Sequence, residues 1–171
     1  MKRFFFSIVL SVAFAFAGHA QNFALVDMEY ILEQIPAYEA AAQEMDDLSA
    51  GWQEEVEAIS SQAKALYEEY QDKAETLTDT QKADLEQRIV AKEKEAASLR
   101  MKYFGQEGEL VERRDALFGP IQDSVYSAIK EIALRDGYDV VFDRASAQSM
   151  VFASPRIDIS NEVLSILGYS N

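Results

Sequence analysis

Pro36 and Pro120 enclose 83 residues without a proline, and through the first half of this stretch apolar residues recur at alternating steps of three and four. The residues on this seam are Tyr38, Ala41, Met45, Leu48, Trp52, Val56, Ile59, Ala63, Leu66, Tyr70, Ala74 and Leu77. Their eleven steps cover 39 residues, a mean of about 3.5, which is the period of a coiled coil. Proline is the strongest helix breaker, so its absence also favours long helices. Such helices can hold or separate other molecules but offer little room for a reaction pocket.

The N-terminus is typical of a secretory signal peptide. Two basic residues precede an apolar run from Phe4 to Ala17, and Gly18-His19-Ala20 places small residues at both positions that a signal peptidase recognises. We therefore expect cleavage after Ala20 and removal of residues 1–20. A membrane anchor is the alternative, but the apolar run is short for a membrane span.

The composition of the mature chain excludes several kinds of chemistry. The only histidine, His19, lies in the signal peptide, and the chain has no cysteine. This removes nucleophile systems that need His or Cys, the usual zinc ligands and disulfides. The acidic residues could support a two-carboxylate hydrolase, but most of them fall on the polar faces of the long helices. We therefore expect no catalytic residue, no cofactor and no metal site.

The charge of the mature chain also limits its partners. After cleavage 14 basic and 30 acidic residues remain, a net charge of −16. A surface this acidic disfavours nucleic acid and anionic lipid as partners.

The coiled-coil stretch is interrupted once, between Thr76 and Gln81. These residues are poor helix formers, and Thr78 with Gln81 has the spacing of a capping box that begins a new helix. The pattern predicts a tight turn near Thr78 or Asp79 between two antiparallel helices, each of about forty residues and roughly 60 Å long. One unbroken helix from Pro36 to Pro120 is the alternative.

The second arm continues the seam less regularly. Its seam positions are Leu85, Ile89, Lys92, Ala96, Leu99, Tyr103, Gln106, Leu110, Arg114 and Leu117. The three long polar side chains in this set either snorkel to water or mark a looser arm.

Charge is distributed unequally between the two arms. Residues 39–79 contain 12 acidic and 2 basic residues, whereas residues 80–118 contain 8 of each. The basic residues that could neutralise the first arm are Arg88, Lys92, Lys94, Arg100 and Lys102. Exposed ion pairs contribute only ~0.2–1 kcal/mol each, so this distribution favours the hairpin without creating it.

Glycines fall at one level of the two arms. If the turn lies near Thr78, Gly51 faces the neighbourhood of Gly105 and Gly108. Each glycine weakens a helix interior by about 1 kcal/mol relative to alanine, so the three residues are candidates for a hinge. The alternative is that glycine makes room for Trp52 and Phe104 to pack across the pair.

Short strands and helices flank the hairpin. The sequence predicts strands over residues 22–27, 138–143 and 149–153, with a hairpin loop over 144–148. It predicts helical turns over 28–35, a helix from Ile121 that stops at Gly137, and a last helix capped by Asp158 and ended by Gly168.

The flanking segments are expected to form one small body, and the arms an insertion in it. The body comprises residues 21–36 and 118–171, and the inserted helical hairpin comprises residues 37–117. A three-stranded sheet with free edges is a liability, and association with copies of the same chain would close it. The sequence therefore predicts an α+β protein, predominantly helical, that oligomerises.

Two segments give the chain a resemblance to the Skp/OmpH family of periplasmic chaperones. The first is Phe23-Ala24-Leu25-Val26-Asp27-Met28 followed by Ile31-Leu32-Glu33-Gln34-Ile35. The second is Pro120-Ile121, then Gly137-Tyr138-Asp139-Val140-Val141-Phe142-Asp143, then Asp158-Ile159-Ser160. The match covers the entire mature chain in element order.

The resemblance implies a homotrimer in the periplasm. Strands of three chains would complete a small β-barrel body, and three helical hairpins would enclose a cavity that holds unfolded outer-membrane proteins without ATP. Familiar members of the family are basic, whereas this chain is strongly acidic. We therefore carry over no lipopolysaccharide site and expect clients to be held mainly by apolar contacts.

Six side chains of the arms are candidates for contact with an unfolded client: Trp52, Tyr67, Tyr70, Met101, Tyr103 and Phe104. Most of them, Trp52 and Tyr70 especially, also lie on the seam, so core packing is the simpler role for at least half, whereas Tyr67 and Phe104 lie one step off it. An envelope scaffold or spacer that binds a defined folded partner is the alternative function. Such a scaffold should have regular seams and purely polar exposed faces.

Overall fold

The computed structural model describes residues 22–147 and 149–169, and the predicted signal peptide lies outside these ranges. The described residues form two compact units. Residues 35–124 form the helical unit, and residues 22–34 together with 125–169 form the body. In chain order the elements are β1 (Phe23–Val26), α1 (Met28–Glu33), α2 (Pro36–Lys73), α3 (Asp79–Phe104), α4 (Glu109–Asp136), β2 (Val140–Asp143), a 3-10 turn (Pro155–Ile157) and α5 (Ser160–Leu167).

The predicted helical hairpin is confirmed, and so is its turn. Helix α2 ends at Lys73 and α3 begins at Asp79. The Thr78 hydroxyl accepts a hydrogen bond from the Gln81 N–H, and the Gln81 side chain accepts one from the Thr78 N–H. This reciprocal capping box satisfies two backbone donors that the first turn of α3 would otherwise leave open.

Helices α2 and α3 run antiparallel and share an apolar seam. Near the turn the Tyr70 hydroxyl donates to Glu86 at 2.8 Å, and far from it the Tyr103 hydroxyl donates to Glu55 at 2.7 Å. The buried residues of the two helices are Ala41, Val56, Ala63, Leu85, Ile89, Ala96 and Tyr103. All seven are seam positions of the sequence pattern, so the 3.5-residue period located the interface between the arms.

The second arm differs from its prediction in two places. It is not one helix, because α3 ends at Phe104 and α4 begins only at Glu109. It also does not end before Pro120, since this proline lies inside α4. A proline inside a helix removes one hydrogen bond and costs about 3 kcal/mol or more. The buried side chains of Val125, Ala128 and Ile132 farther along α4 stabilise the helix against that cost.

In the body, β1 and β2 pair in parallel, with Phe23 opposite Val140 and Val26 opposite Asp143. On the other side of β1, the Leu25 carbonyl accepts a hydrogen bond of 2.9 Å from the Ile159 N–H. Buried apolar residues of the sheet and of helices α1, α4 and α5 form the core: Ala24, Leu25, Val26, Ile31, Val125, Ala128, Ile132, Ile159, Val163 and Leu164.

The third predicted strand is not formed in the single chain. Residues 149–153 follow β2 without pairing to any described strand, and residues 144–147 do not form a hairpin turn between two strands. Val151 is fully exposed and Phe152 is 83% exposed. A strand needs a neighbouring strand for its hydrogen bonds, and within the described residues this segment has none.

The remaining helix ends follow the sequence closely. Gly137 and Gly168 have φ values of +74° and +82°, a left-handed conformation that ends α4 and α5 as predicted. The Asp158 carboxylate accepts a hydrogen bond of 2.9 Å from the Ser160 N–H, although Ile159 occupies the N-cap position.

Candidate functional site

The six candidate contact residues do not form one surface on the helical hairpin. Trp52 and Tyr103 lie between the arms, where their rings stack with centroids 4.9 Å apart and planes 3° from parallel. The Phe104 ring meets both of them edge-on at 6.5 and 6.4 Å. Tyr103 is only 5% exposed, so in the single chain it packs within the hairpin.

Polar contacts hold Tyr103 in this cluster. Its hydroxyl donates to Glu55 across the hairpin, and that hydrogen bond is the main reason why the pKa of Tyr103 is raised. The Lys102 ammonium lies 4.8 Å from the centre of the same ring, in the geometry of a cation–π contact. A hydrogen bond to Glu109 raises the pKa of Lys102, and the ion pair is 3.3 Å long.

The two tyrosines nearer the turn differ in their roles. Tyr70 is partly buried, and the hydrogen bond that it donates to Glu86 is the main reason why its pKa is raised. Tyr67 is half exposed on α2. Tyr67 therefore offers apolar surface to solvent, as its position off the seam predicts.

Met101 and Phe104 line an open depression of about 810 Å³ on the helical unit. Met101 is 71% exposed, more than any other of the six candidates, and Phe104 is 37% exposed. Sequence reasoning named both as contact candidates but named their polar neighbour Arg100, which lines the same depression, only as a charge that could neutralise the first arm. The signal for Arg100 was its spacing of four residues from Phe104, which places both side chains on one face of α3.

The three candidate hinge glycines occupy two different environments. Gly51 lies inside the continuous helix α2, and a β-carbon added there would meet nothing within 4 Å. Gly105 and Gly108 bound the link between α3 and α4, and added β-carbons would lie 2.3 Å from the Met101 carbonyl oxygen and 2.8 Å from the Gly105 nitrogen, respectively. Backbone crowding therefore requires glycine at the link but not at Gly51.

Ion pairs do not join the two arms in the described part of the chain. Lys64 and Lys73 pair along α2 with Glu68 and Glu69, while in α3 Arg88 and Lys92 pair on their own helix and Lys102 pairs with Glu109. The basic residues that could neutralise the first arm therefore form no direct ion pair with it among the described residues. The attraction acts at longer range, as on Glu69, where Lys73 chiefly lowers the pKa and Arg88 contributes a smaller part.

No described residues are arranged as a metal site: residues 22–147 and 149–169 contain no group of three His, Cys, Asp or Glu side chains able to hold an ion. Among the helices within those ranges, none is long and apolar enough to cross a bilayer.

Comparison with known proteins gives a consistent family. Residues 22–167 match the model of the family described as outer membrane protein (OmpH-like). The chain is 27% identical to chaperone protein Skp of Yersinia enterocolitica over 168 residues, covering 96% of this chain and 98% of that one. It is also 27% identical to chaperone protein Skp of Vibrio cholerae, with 86% and 84% of the two chains covered.

The fold has a counterpart among solved structures. A structure from Caulobacter crescentus CB15, described as OmpH-like, superimposes with a TM-score of 0.66. The superposition covers 88% of this chain and 86% of that one at 11% identity. The family model spans nearly the whole described chain, its relatives are named chaperones, and this chain therefore belongs to the OmpH-like outer membrane protein family.

Proposed function

We propose that this protein is an ATP-independent holdase chaperone of the periplasm that holds unfolded outer-membrane proteins between the helical hairpins of a homotrimer. The observation that carries the proposal is the apolar surface left on a hairpin whose seam is already filled. Tyr67, Val90, Met101 and Phe104 remain exposed on arms whose other large apolar side chains are at least partly buried. Exposed apolar surface of this kind suits contacts with an unfolded chain.

A free strand edge and exposed apolar side chains in the body favour the assembly of several copies. One edge of β2 pairs with β1, and no described strand pairs with its other edge. Phe23, Val140 and Phe142 expose about half of their surface, and the apolar segment 150–153 continues beside them. Pairing this segment with a neighbouring copy would satisfy its backbone and cover apolar side chains of both chains.

The scaffold alternative fits these surfaces less well. A spacer that binds a folded partner needs regular, polar arms, whereas the link at Gly105–Gly108 interrupts the second arm. The exposed Met101 lies one turn before this link. Irregular helices with exposed apolar side chains favour the chaperone.

The deciding experiment is the native mass of the purified mature protein, measured by light scattering, with and without a urea-unfolded outer-membrane protein. We expect a trimer alone, a stoichiometric complex with the client, and suppression of client aggregation without nucleotide. A protein that forms no complex and leaves aggregation unchanged would exclude the holdase function. Mass spectrometry of the periplasmic fraction should find Gln21 as the first residue.

A further inference from the structure

Two depressions on one side of the helical hairpin adjoin each other. One is lined by Ala63 and Tyr67 of α2, the other by Met101 and Phe104 of α3, and both are lined by Ala97 and Arg100. We call these six residues the Tyr67–Phe104 groove. Alanines occupy its middle, and large exposed apolar side chains occupy both ends.

The length of the groove suits a short extended peptide. From Glu93, which lies beside Tyr67, to Phe104, α3 rises about 16 Å at 1.5 Å per residue. An extended chain covers that distance in about five residues at 3.3 Å each. The floor of small residues would let such a segment approach the helices closely.

Arg100 supplies the charge that selects the occupant. Its guanidinium is exposed and, among the described residues, pairs with no carboxylate. The other charges at the groove are Lys64, which pairs loosely with Glu68 at 3.8 Å, and the carboxylates of Glu93 and Glu107 at the ends. Among the described lining residues, Arg100 is therefore a cation without a carboxylate partner at the middle of the groove, although the mature chain is strongly acidic.

The spacing of Arg100 and Phe104 matches the repeat of an extended chain. Four residues of α3 separate them by about 6 Å along the helix axis. Side chains two positions apart in an extended segment point the same way and are about 6.6 Å apart. One residue of the segment can therefore meet Arg100 while the residue two positions on meets Met101 and Phe104.

We propose that the Tyr67–Phe104 groove binds extended client segments that carry a carboxylate two residues from an aromatic side chain. The inference rests on the proposed chaperone function and adds a chemical preference to it. We expect a carboxylate two residues from an aromatic side chain at the ends of transmembrane β-strands, where a girdle of outward-facing aromatic residues meets water. Unfolded barrel proteins would then present the feature repeatedly, and each hairpin could hold one segment.

Binding of labelled peptides to the full mature chain tests this preference. Three unstructured 12-residue peptides with a central Asp-Ala-Phe, Lys-Ala-Phe or Asp-Ala-Ser are compared by fluorescence anisotropy at low salt. We expect the first to bind most tightly. Arg100→Glu should lower the affinity for the Asp-Ala-Phe peptide about fivefold, the scale of an exposed charge pair. The same variant should raise the affinity for the Lys-Ala-Phe peptide.

Lys94→Glu is the matched control. Lys94 is exposed on the same helix, outside the groove, and forms no ion pair within the described residues. This variant changes the net charge as much as Arg100→Glu but should leave the order of the three peptides unchanged. Circular dichroism verifies that both variants keep their helix content.

Different results would contradict the preference for carboxylate–aromatic segments and the proposed chaperone function. If Arg100→Glu and Lys94→Glu behave alike, or if no peptide binds while client aggregation is still suppressed, the preference is wrong and the chaperone function stands. If the wild-type protein does not suppress aggregation of an unfolded outer-membrane protein, the function itself is wrong.

Discussion

The indole of Trp52 lies parallel to the phenol ring of Tyr103, with ring centroids 4.9 Å apart, so the two arms meet through stacked aromatic rings. The hydroxyl of Tyr103 is anchored on α2 by Glu55. Trp52 is the only tryptophan of the chain, and its fluorescence therefore reports directly on the packing of the arms.

Replacing Trp52 by Ala should destabilise the hairpin by about 2–3 kcal/mol, because the change removes a large packed side chain and a stacked pair. Tyr103→Phe keeps the ring, removes only the hydrogen bond to Glu55 and should lower the melting temperature by a few degrees. Thermal unfolding followed by circular dichroism compares the two. Equal melting temperatures for Trp52→Ala and the wild type would contradict the role of the stack.

The glycines should respond in opposite directions to substitution by alanine. Gly51→Ala should stabilise the arm by up to about 1 kcal/mol, because the position is helical and open. Gly105→Ala and Gly108→Ala should destabilise it, because the new methyl groups would collide with backbone atoms. Urea unfolding curves show whether each substitution raises or lowers the free energy of unfolding. Stabilisation at Gly105 would show that the link between the helices adopts another backbone conformation.

The hinge stays a prediction, and Gly51→Ala tests it with little perturbation. If α2 bends at Gly51, the substitution should narrow the distribution of distances between the hairpin tips of the assembled protein. Spin labels at Thr80, next to the turn, report that distribution by pulsed electron resonance. If the substitution leaves the width of this distance distribution unchanged, the arms bend at the 105–108 link or do not bend.

Assembly should depend on the apolar segment after β2. Val151→Asp should leave the single chain folded, because Val151 makes no buried contact there. If a neighbouring copy covers this side chain, the buried charge should weaken the proposed trimer by several kcal/mol. Analytical ultracentrifugation detects the dissociation, and Thr80→Asp at the turn between α2 and α3 serves as control. A Val151→Asp protein that sediments as the wild type would remove this segment from the interface.

Client capture should depend on the exposed apolar side chains of the groove. Tyr67→Ser with Met101→Ser removes two exposed side chains and should weaken the suppression of outer-membrane-protein aggregation with little loss of stability. Phe104 suits this test less well, since its ring also packs on Trp52. Val90→Ser is the matched control, because Val90 is a 46% exposed residue of α3 outside the groove. Equal suppression by both proteins would exclude the groove as the main client contact.

The body should lose stability at low pH through Asp143. Burial alone would raise the pKa of this carboxyl, but hydrogen bonds from the N–H groups of Met28 and Ala145 outweigh that effect and lower it. A lowered folded-state pKa means that the stabilisation is present above the unfolded-state value of about 3.9 and is lost as the pH falls through the folded-state value. Acid unfolding curves of the wild type and Asp143→Asn should therefore converge below about pH 4. If the two curves stay parallel down to low pH, the loss of stability does not come from Asp143.

The sequence alone determined the hairpin, because its signals are local. A 3.5-residue period locates the apolar seam, and a capping box at Thr78 and Gln81 locates the start of α3. The ends of α4 and α5 were equally readable, since Gly137 and Gly168 supply the left-handed residue that each helix end requires.

Only the tertiary structure decided the features that depend on distant residues. The helix continues through Pro120 because buried side chains of α4 stabilise it. The seam already placed Tyr103 between the arms, but its stacking on Trp52 and its hydrogen bond to Glu55 depend on residues of the other helix. The segment after β2 has strand-forming residues but no partner strand among the described residues, so its local propensity is insufficient. The spacing of Arg100 and Phe104 on α3 is local, but only folding placed Arg100 beside Tyr67 of the other arm, a relation between two helices that no local pattern contains.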